Sequence, residues 1–323
     1  MRLTTRCVAA ILALTTGPCL AQSGAGNYPN RPIRLIAPYA PGGGTDFVAR
    51  IVAAKLPELI GQNIVVDNRP GAAGLVGTEL AARAAPDGYT LLLVDSALTI
   101  NVTYYRNAKY EPLRDFAPIT DVADTPYLVA VPAGSPWRNA RDLVAAAKAQ
   151  PGRLTFGSGG NGAGSHLTGE LFQLRSGAKF THVPYKGVGP AMSDTIAGQI
   201  SMTFTSAPPA MGLIAAGRVK ALGVAMPKRS PFFPDVPTFT EQDIPVVVTN
   251  WYGIAAVGGT PEPVRNLLHA ALIRMIAMPD VNERLRSGGL EPAPMSQAQF
   301  RAMIAADVKT WAEVVRTANL RQE

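Results

Sequence analysis

Ile33-Arg34-Leu35-Ile36-Ala37-Pro38-Tyr39-Ala40-Pro41-Gly42-Gly43-Gly44-Thr45-Asp46 is a short apolar strand that runs into a loop of two prolines and three glycines. Proline ends the strand, and glycine leaves the main chain bare. Thr45 is placed to cap a helix running to about Ile60. The same grammar repeats. Asn63 to Asp67 reads as a strand, Asn68 to Gly74 as another small-residue loop, Leu75 to Ala85 as a helix and Tyr89 to Val94 as a strand. Strand–loop–helix repetition predicts an α/β fold, a mainly parallel sheet with helices on both faces.

A second unit opens at Leu128 to Val131. Strands are predicted at Leu154 to Phe156, Phe180 to Val183, Ser201 to Phe204 and Lys220 to Ala225. Helices are predicted near 140–149, 165–176, 188–197 and 207–216. Pro227 to Pro237 carries four prolines and reads as a return connection. Trp251 to Val257 is again a strand, and helices near 261–277, 279–287 and 297–317 finish the chain. The expected organisation is one lobe of 28–125 plus 230–323, a second lobe of 126–229, and a cleft between them.

Met1 to Ala21 has the layout of an export signal: Arg2 and Arg6, an apolar run from Cys7 to Leu14, and Cys19-Leu20-Ala21 before a cut. Pro18 argues against a lipid anchor on Cys19. Cleavage leaves about 302 residues, removes both cysteines, and lowers the formal charge from +7 to +5. That length fits two domains, and the 47% apolar content fits a folded protein. After Ala21 no apolar stretch is long enough to span a bilayer. Lys and Arg are scattered without a run of five, and no tryptophan is interleaved with them, which argues against nucleic acid.

The loop Pro41, Gly42, Gly43, Gly44, Thr45, Asp46 is the strongest binding signal. Its amides and the following helix end suit a carboxylate. Asp46 either contacts ligand or steadies the helix end with Arg50 four residues on. Gly157 to Gly162 formally fits a dinucleotide pattern, but the acidic residue expected about 20 positions later is missing. Ser158, Asn161 and Ser165 make it a second carboxylate loop instead. His166 is either a structural group or a cleft donor. Residues just after strands are further cleft candidates: Asp95 and Ser96, Tyr185 and Lys186, Thr205 and Ser206. Tyr39 and Trp251 either wall the cleft or join the core. The chain lacks a P-loop, and its three histidines have no metal spacing. Ser165 and His166 are adjacent and diverge around a helix, so a hydrolase triad finds no support. No catalytic residue, cofactor or metal is expected.

Nine stretches carry a family resemblance. They include Tyr28 to Leu35, Pro38 to Asp46, Val65 to Ala72, Ala85 to Leu92, Asp115 to Thr120 and Phe156 to Gly159, then His182 to Gly187, Ala197 to Ile200 and Asp235 to Thr238. In this order, across about residues 28 to 318, the chain resembles the periplasmic solute-binding proteins of tripartite tricarboxylate transporters, the Bordetella uptake gene family. The resemblance implies a two-lobed, type II periplasmic binding protein that closes on a small organic acid. The ligand would be a carboxylate, an amino acid or a nicotinate-like compound. The loop near Tyr39 to Asp46 and the loop from Ser158 to His166 would grip its carboxylate from opposite lobes. A monomer docking on membrane permease subunits is implied, with a sensing adaptor as the alternative and an exported hydrolase or isomerase as a remote one.

Two positions depart from that pattern. Asp95 stands where small or neutral residues are usual, and Val102 follows Asn101 where proline is frequent. A cleft-facing Asp95 would repel a second carboxylate and favour an amine or hydroxyl; otherwise it pairs with a basic neighbour.

Overall fold

Long apolar runs that outlast a one-sided alternation need helices on both faces. The strand Thr90–Asp95 satisfies this, with Leu91 and Leu93 in one buried cluster and Leu92 and Val94 in another. The computed structural model describes residues 27–317 and Leu320; the expected leader 1–21 lies outside them.

In chain order the first lobe contains β1 (Ile33–Ala37), α1 (Gly44–Lys55), α2 (Pro57–Ile60), β2 (Ile64–Asn68), α3 (Leu75–Ala82), β3 (Thr90–Asp95) and α4 (Ala97–Tyr104). The long strand β4 (Phe116–Pro132) leads into the second lobe. That lobe holds α5 (Ala140–Ala149), β5 (Thr155–Ser158), α6 (Gly164–Ser176), β6 (Thr181–Pro184) and α7 (Val188–Ile196). It continues with β7 (Met202–Ser206), α8 (Ala207–Ala215) and β8 (Val219–Val224). The chain returns through β9 (Thr249–Val257) and closes with α9 (Glu262–Ile276), α10 (Pro279–Ser287), β10 (Glu291–Pro292) and α11 (Gln297–Thr317).

β1 pairs in parallel with β2 and β3, and β9 runs antiparallel between β3 and β4. In the second lobe β5 is parallel to β6 and β7, while β4 takes β7 and β8 antiparallel. The strand order β2-β1-β3-β9-β4-β7-β5-β6 therefore places the crossing strands at the middle, with a parallel half on each side. This is the two-lobed α/β arrangement the sequence predicts.

The predicted strand Leu128 to Val131 is the far end of the 17-residue β4. Its near half was hidden because Thr120, Asp121 and Thr125 are polar yet buried, and two bulges near Pro118 and Asp121 break the alternation. Thr45 is not a cap: Gly43 holds that position and Thr45 sits in the first turn of α1. Phe239, Ile244, Val246 and Val248 pack into the second lobe's core, and the Val248 N–H donates to the Ala225 carbonyl at 2.9 Å. We therefore place the return crossing at Val248–Thr249 instead of near residue 230. α11 is anchored in both lobes, through Phe300 and Ile304 in the first and Trp311 and Val315 in the second. Burying each such side chain stabilises by about 1.5–3 kcal/mol, so the helix stays attached at both ends.

Candidate functional site

Helix starts expose N–H groups that no carbonyl within the helix can reach. Two of them meet in the cleft between the lobes. α1 begins at Gly44 and α6 at Gly164, and neither has a side-chain cap. α8 begins Ala207-Pro208-Pro209: its prolines carry no N–H and the Ala207 N–H donates to the Thr125 hydroxyl at 3.4 Å, so that end lends the cleft only the Ser206 side chain. The cleft opens to solvent, and the space among its lining atoms, open solvent included, is about 370 Å³. Tyr39, Gly43, Gly44, Thr45 and Asp95 line it from the first lobe. Gly159, Ala163, Gly164, Ser165, Val188 and Ser206 line it from the second, and the crossing strands add Tyr127, Asn250 and Tyr252. Each helix end carries about half a positive charge, so together they favour an anion.

Two glycines are required by close approach. A methyl group at Gly44 would lie 2.0 Å from the Tyr252 hydroxyl oxygen, and one at Gly164 would lie 2.0 Å from that of Tyr127. The tyrosines thus press directly on the two helix starts. Their hydroxyls are fixed by a buried network. Tyr252 shares a 2.8 Å hydrogen bond with Ser206. Tyr127 donates to Asn250 Oδ1 at 2.9 Å, and Ser96 donates to the same oxygen at 2.8 Å. With Oδ1 doubly engaged, the Asn250 amide nitrogen remains for Tyr252 or a ligand.

Asp95 is the one carboxylate lining the cleft, and among the described residues no Lys, Arg or His lines it. The Ala97 N–H donates to Asp95 Oδ1 at 3.0 Å and fixes the side chain. Burial pushes the carboxyl up to about 6, although the Ala97 N–H and the Tyr39 and Thr45 hydroxyls pull the other way. Burial, then the Asp95 charge, keeps the Tyr39 and Tyr127 hydroxyls neutral far above neutral pH. The basic neighbour that would have turned Asp95 away from the cleft is absent among the described residues: no ion pair engages it.

Behind the lining, side chains hold the loops. Asp46 Oδ2 accepts from the Gly42 N–H at 3.1 Å and from Arg50 Nε at 2.8 Å, while Oδ1 accepts from Asn68 at 3.1 Å. Burial alone would raise this carboxyl, but the Arg50, Gly42 and Asn68 hydrogen bonds outweigh it and hold it low. In the second loop Ser158 bonds His182 Nε2 at 2.6 Å, and the Gly162 N–H donates to His166 Nδ1 at 3.2 Å. The two imidazoles stack at 4.1 Å. Burial, then His166, drives His182 down to about 3, so it stays neutral.

The structure therefore brings Tyr39, Gly43, Gly44, Thr45, Asp95, Ser165 and Ser206 to the cleft and keeps the other expected residues off its lining. Asp46, Ser158 and His166 are the buried supports just described. Gly42 donates to Asp46 instead of facing inward, at a φ of +87° that suits glycine. Ser96 lies under Tyr127 and Asn250. Thr205 points to the opposite face of β7 and bonds the Ser206 carbonyl at 3.0 Å. Pro41, Asn161, Tyr185 and Lys186 form the rim. Tyr185 donates to Asp194 at 2.6 Å, exposed Lys186 offers only its carbonyl to the Ala40 N–H at 3.0 Å, and Tyr105 donates to the Asn161 carbonyl. Trp251 is core, donating to Asp307 at 3.2 Å.

Gly159, Ala163 and Gly164 fall inside the loop from Ser158 to His166 that the sequence assigns to the ligand as a loop of bare amides, although it does not single them out. Tyr127, Asn250, Tyr252 and Val188 are lining residues that the sequence reading misses. Tyr127, Asn250 and Tyr252 sit in strands that read as core. The one available signal was their position at the crossings, where a two-lobed fold forms its cleft floor.

Known proteins share this arrangement. Residues 48–320 match the family described as the tripartite tricarboxylate transporter family receptor. Protein BugT of Bordetella pertussis is 36% identical over 316 residues, covering 97% of this chain and 97% of its own. The periplasmic binding protein BugD superposes with a TM-score of 0.89 at 34% identity, over 92% of this chain and 100% of that one. MatC of Rhodopseudomonas palustris, solved with bound malate, gives a TM-score of 0.86 at 30% identity, over 89% and 100%. The family and these neighbours are binding proteins. No helix among the described residues is long and apolar enough to cross a membrane.

Proposed function

This chain belongs to the tripartite tricarboxylate transporter family of receptors, whose role is solute binding, and from that premise we propose that it captures a small carboxylate between its lobes. It does so as a monomer in the periplasm and delivers the ligand to membrane permease subunits. The observation that carries this reading is the convergence of two uncapped helix starts, α1 and α6, one from each lobe, on one cleft that no side-chain cation lines among the described residues. Backbone N–H groups fixed in that way bind a carboxylate without reorganising. The residues assigned to it are Gly43, Gly44, Thr45, Gly164, Ser165 and Ser206, with Tyr39, Tyr127 and Tyr252 as walls. The relative solved with malate supports a carboxylate ligand.

Thermal denaturation of the mature protein with paired acids and primary amides tests this. A ligand at a hundredfold excess over its Kd stabilises by about 2.7 kcal/mol, which is about 5 °C for a chain of this size. At least one acid should raise Tm by that order while its amide does not. If amides match their acids throughout, the helix ends are not reading a carboxylate.

A further inference from the structure

We infer that Asp95 makes this cleft selective for a zwitterionic head group, an α-ammonium carboxylate, and that it disfavours dicarboxylates that lack the ammonium group. The inference rests on the carboxylate reading above and names the group beside the carboxylate.

The cleft is electrically lopsided. Its attraction for anions comes from main-chain dipoles and neutral hydroxyls, and its one ionised side chain is negative. A dicarboxylate seated on the helix starts would leave its second charge without a cation and beside Asp95. Like charges in a partly desolvated site repel more strongly than in water. An ammonium group reverses the sign, and among the described residues no cation pairs with Asp95 that a ligand would have to displace. A poorly solvated carboxylate with hydrogen-bond donors but no cation beside it is unfavourable, and a ligand ammonium supplies the missing charge.

Geometry narrows the class further. Thr45 belongs to the first turn of α1 and lines the cleft beside Asp95. The donors for a carboxylate and the acceptor for a cation are therefore neighbours across one residue. That spacing fits the two groups of an α-amino acid, which share one carbon. It does not fit a long ω-amino acid. Tyr39, whose hydroxyl donates to the Ala73 carbonyl, and Tyr252, whose hydroxyl bonds Ser206, line the same cleft as Asp95, and their neutral oxygens can accept the remaining ammonium protons. Asp95 cannot turn aside easily, because the Ala97 N–H holds Oδ1 and β9 flanks its backbone, with Asp95 opposite Tyr252.

Two matched series at pH 8 test the proposal by isothermal titration of the mature protein: L-alanine, L-lactate and propionate, then L-aspartate, L-malate and succinate. Each series changes only ammonium to hydroxyl to hydrogen on one carbon. The wild type should prefer the amino acid by at least tenfold within a series. Asp95→Asn should erase that preference and tighten malate and succinate. Asp95→Ser, checked for folding by circular dichroism, should do the same, which separates charge from shape. Equal affinities within each series, or a preference that survives both substitutions, would overturn the proposal while leaving carboxylate binding intact. If no member of either series binds and the acid–amide pairs above also fail, the carboxylate reading itself falls and this inference goes with it.

Discussion

Removing the Asp95 charge should stabilise the ligand-free protein at neutral pH. A carboxyl whose pKa rises from 3.8 to about 6 on folding binds its proton more tightly in the native state. Its favourable contribution is complete below pH 3.8 and is lost as pH climbs through about 6. About two pH units at 1.36 kcal/mol each make the penalty at most about 3 kcal/mol by pH 8. Asn is nearly isosteric, keeps an oxygen for the Ala97 N–H, and carries no charge at any pH. Asp95→Asn should therefore raise Tm by up to about 6 °C at pH 8 and leave it unchanged near pH 4. Asp121 and Asp124 add a trend of the same sign. Burial pushes both carboxyls up, and the Asp124 charge pushes Asp121 further. Those groups are common to both proteins and cancel in the difference. Calorimetry or urea melts of ligand-free protein from pH 4 to pH 8 measure it. A difference that does not change with pH, or a variant less stable at pH 8, would refute the argument that Asp95 is held in a poorly solvated, unpaired site.

Other outcomes follow from the same geometry. Gly164→Ala and Gly44→Ala should each weaken ligand binding at least tenfold in titration calorimetry, because the new methyl meets a tyrosine hydroxyl at 2.0 Å; Gly212→Ala, which meets nothing, should not. Asp46→Asn should lower stability in urea by about 1–3 kcal/mol, since it weakens a buried acceptor of three donors. Ser158→Ala should cost stability of the same order by freeing a buried His182 nitrogen. Its effect on affinity should stay within about threefold, because its hydroxyl does not line the cleft.

Most elements were legible because their residues obey local rules. α5 shows how: Asn139 caps it by accepting the Asp142 N–H at 2.9 Å, and Leu143 and Ala147 bury one face. α4 was not legible. Ala97, Leu98, Thr99, Ile100 and Asn101 are all buried, so the helix has no polar face to give it a period. In the site, residues acting through the main chain were the easier ones, because glycine and proline mark them directly. Asp95 stands out in the sequence as an oddity in a familiar stretch, but only the fold shows that no cation among the described residues reaches it. Tyr127 and Tyr252 were hidden for a different reason. Nothing in a strand distinguishes a tyrosine that fills a core from one that floors a cleft; the difference lies in Gly44 and Gly164, far away in sequence.

Closure and selectivity depend on the same backbone. The lobes meet where Ala40 donates its N–H to the Lys186 carbonyl at 3.0 Å and where Gly189 lies against Pro41. A methyl at Gly189 would stand 2.8 Å from the Pro41 oxygen, and one at Gly160 would stand 3.3 Å from the Ala73 nitrogen. Ala40 and Pro41 lie on the loop that carries the α1 start and Gly160 on the loop that carries the α6 start, while Lys186 and Gly189 lie at the entry to α7, so meeting of the lobes draws both helix starts together. A ligand that bridges them favours the closed form by its differential affinity for it. A second carboxylate beside Asp95 would oppose closure itself, not only local contact. Discrimination against dicarboxylates should then appear mainly as faster dissociation, because the lobes reopen sooner, with association rates little changed. Stopped-flow association that slows tenfold for succinate while dissociation stays constant would place the discrimination before closure and contradict this coupling.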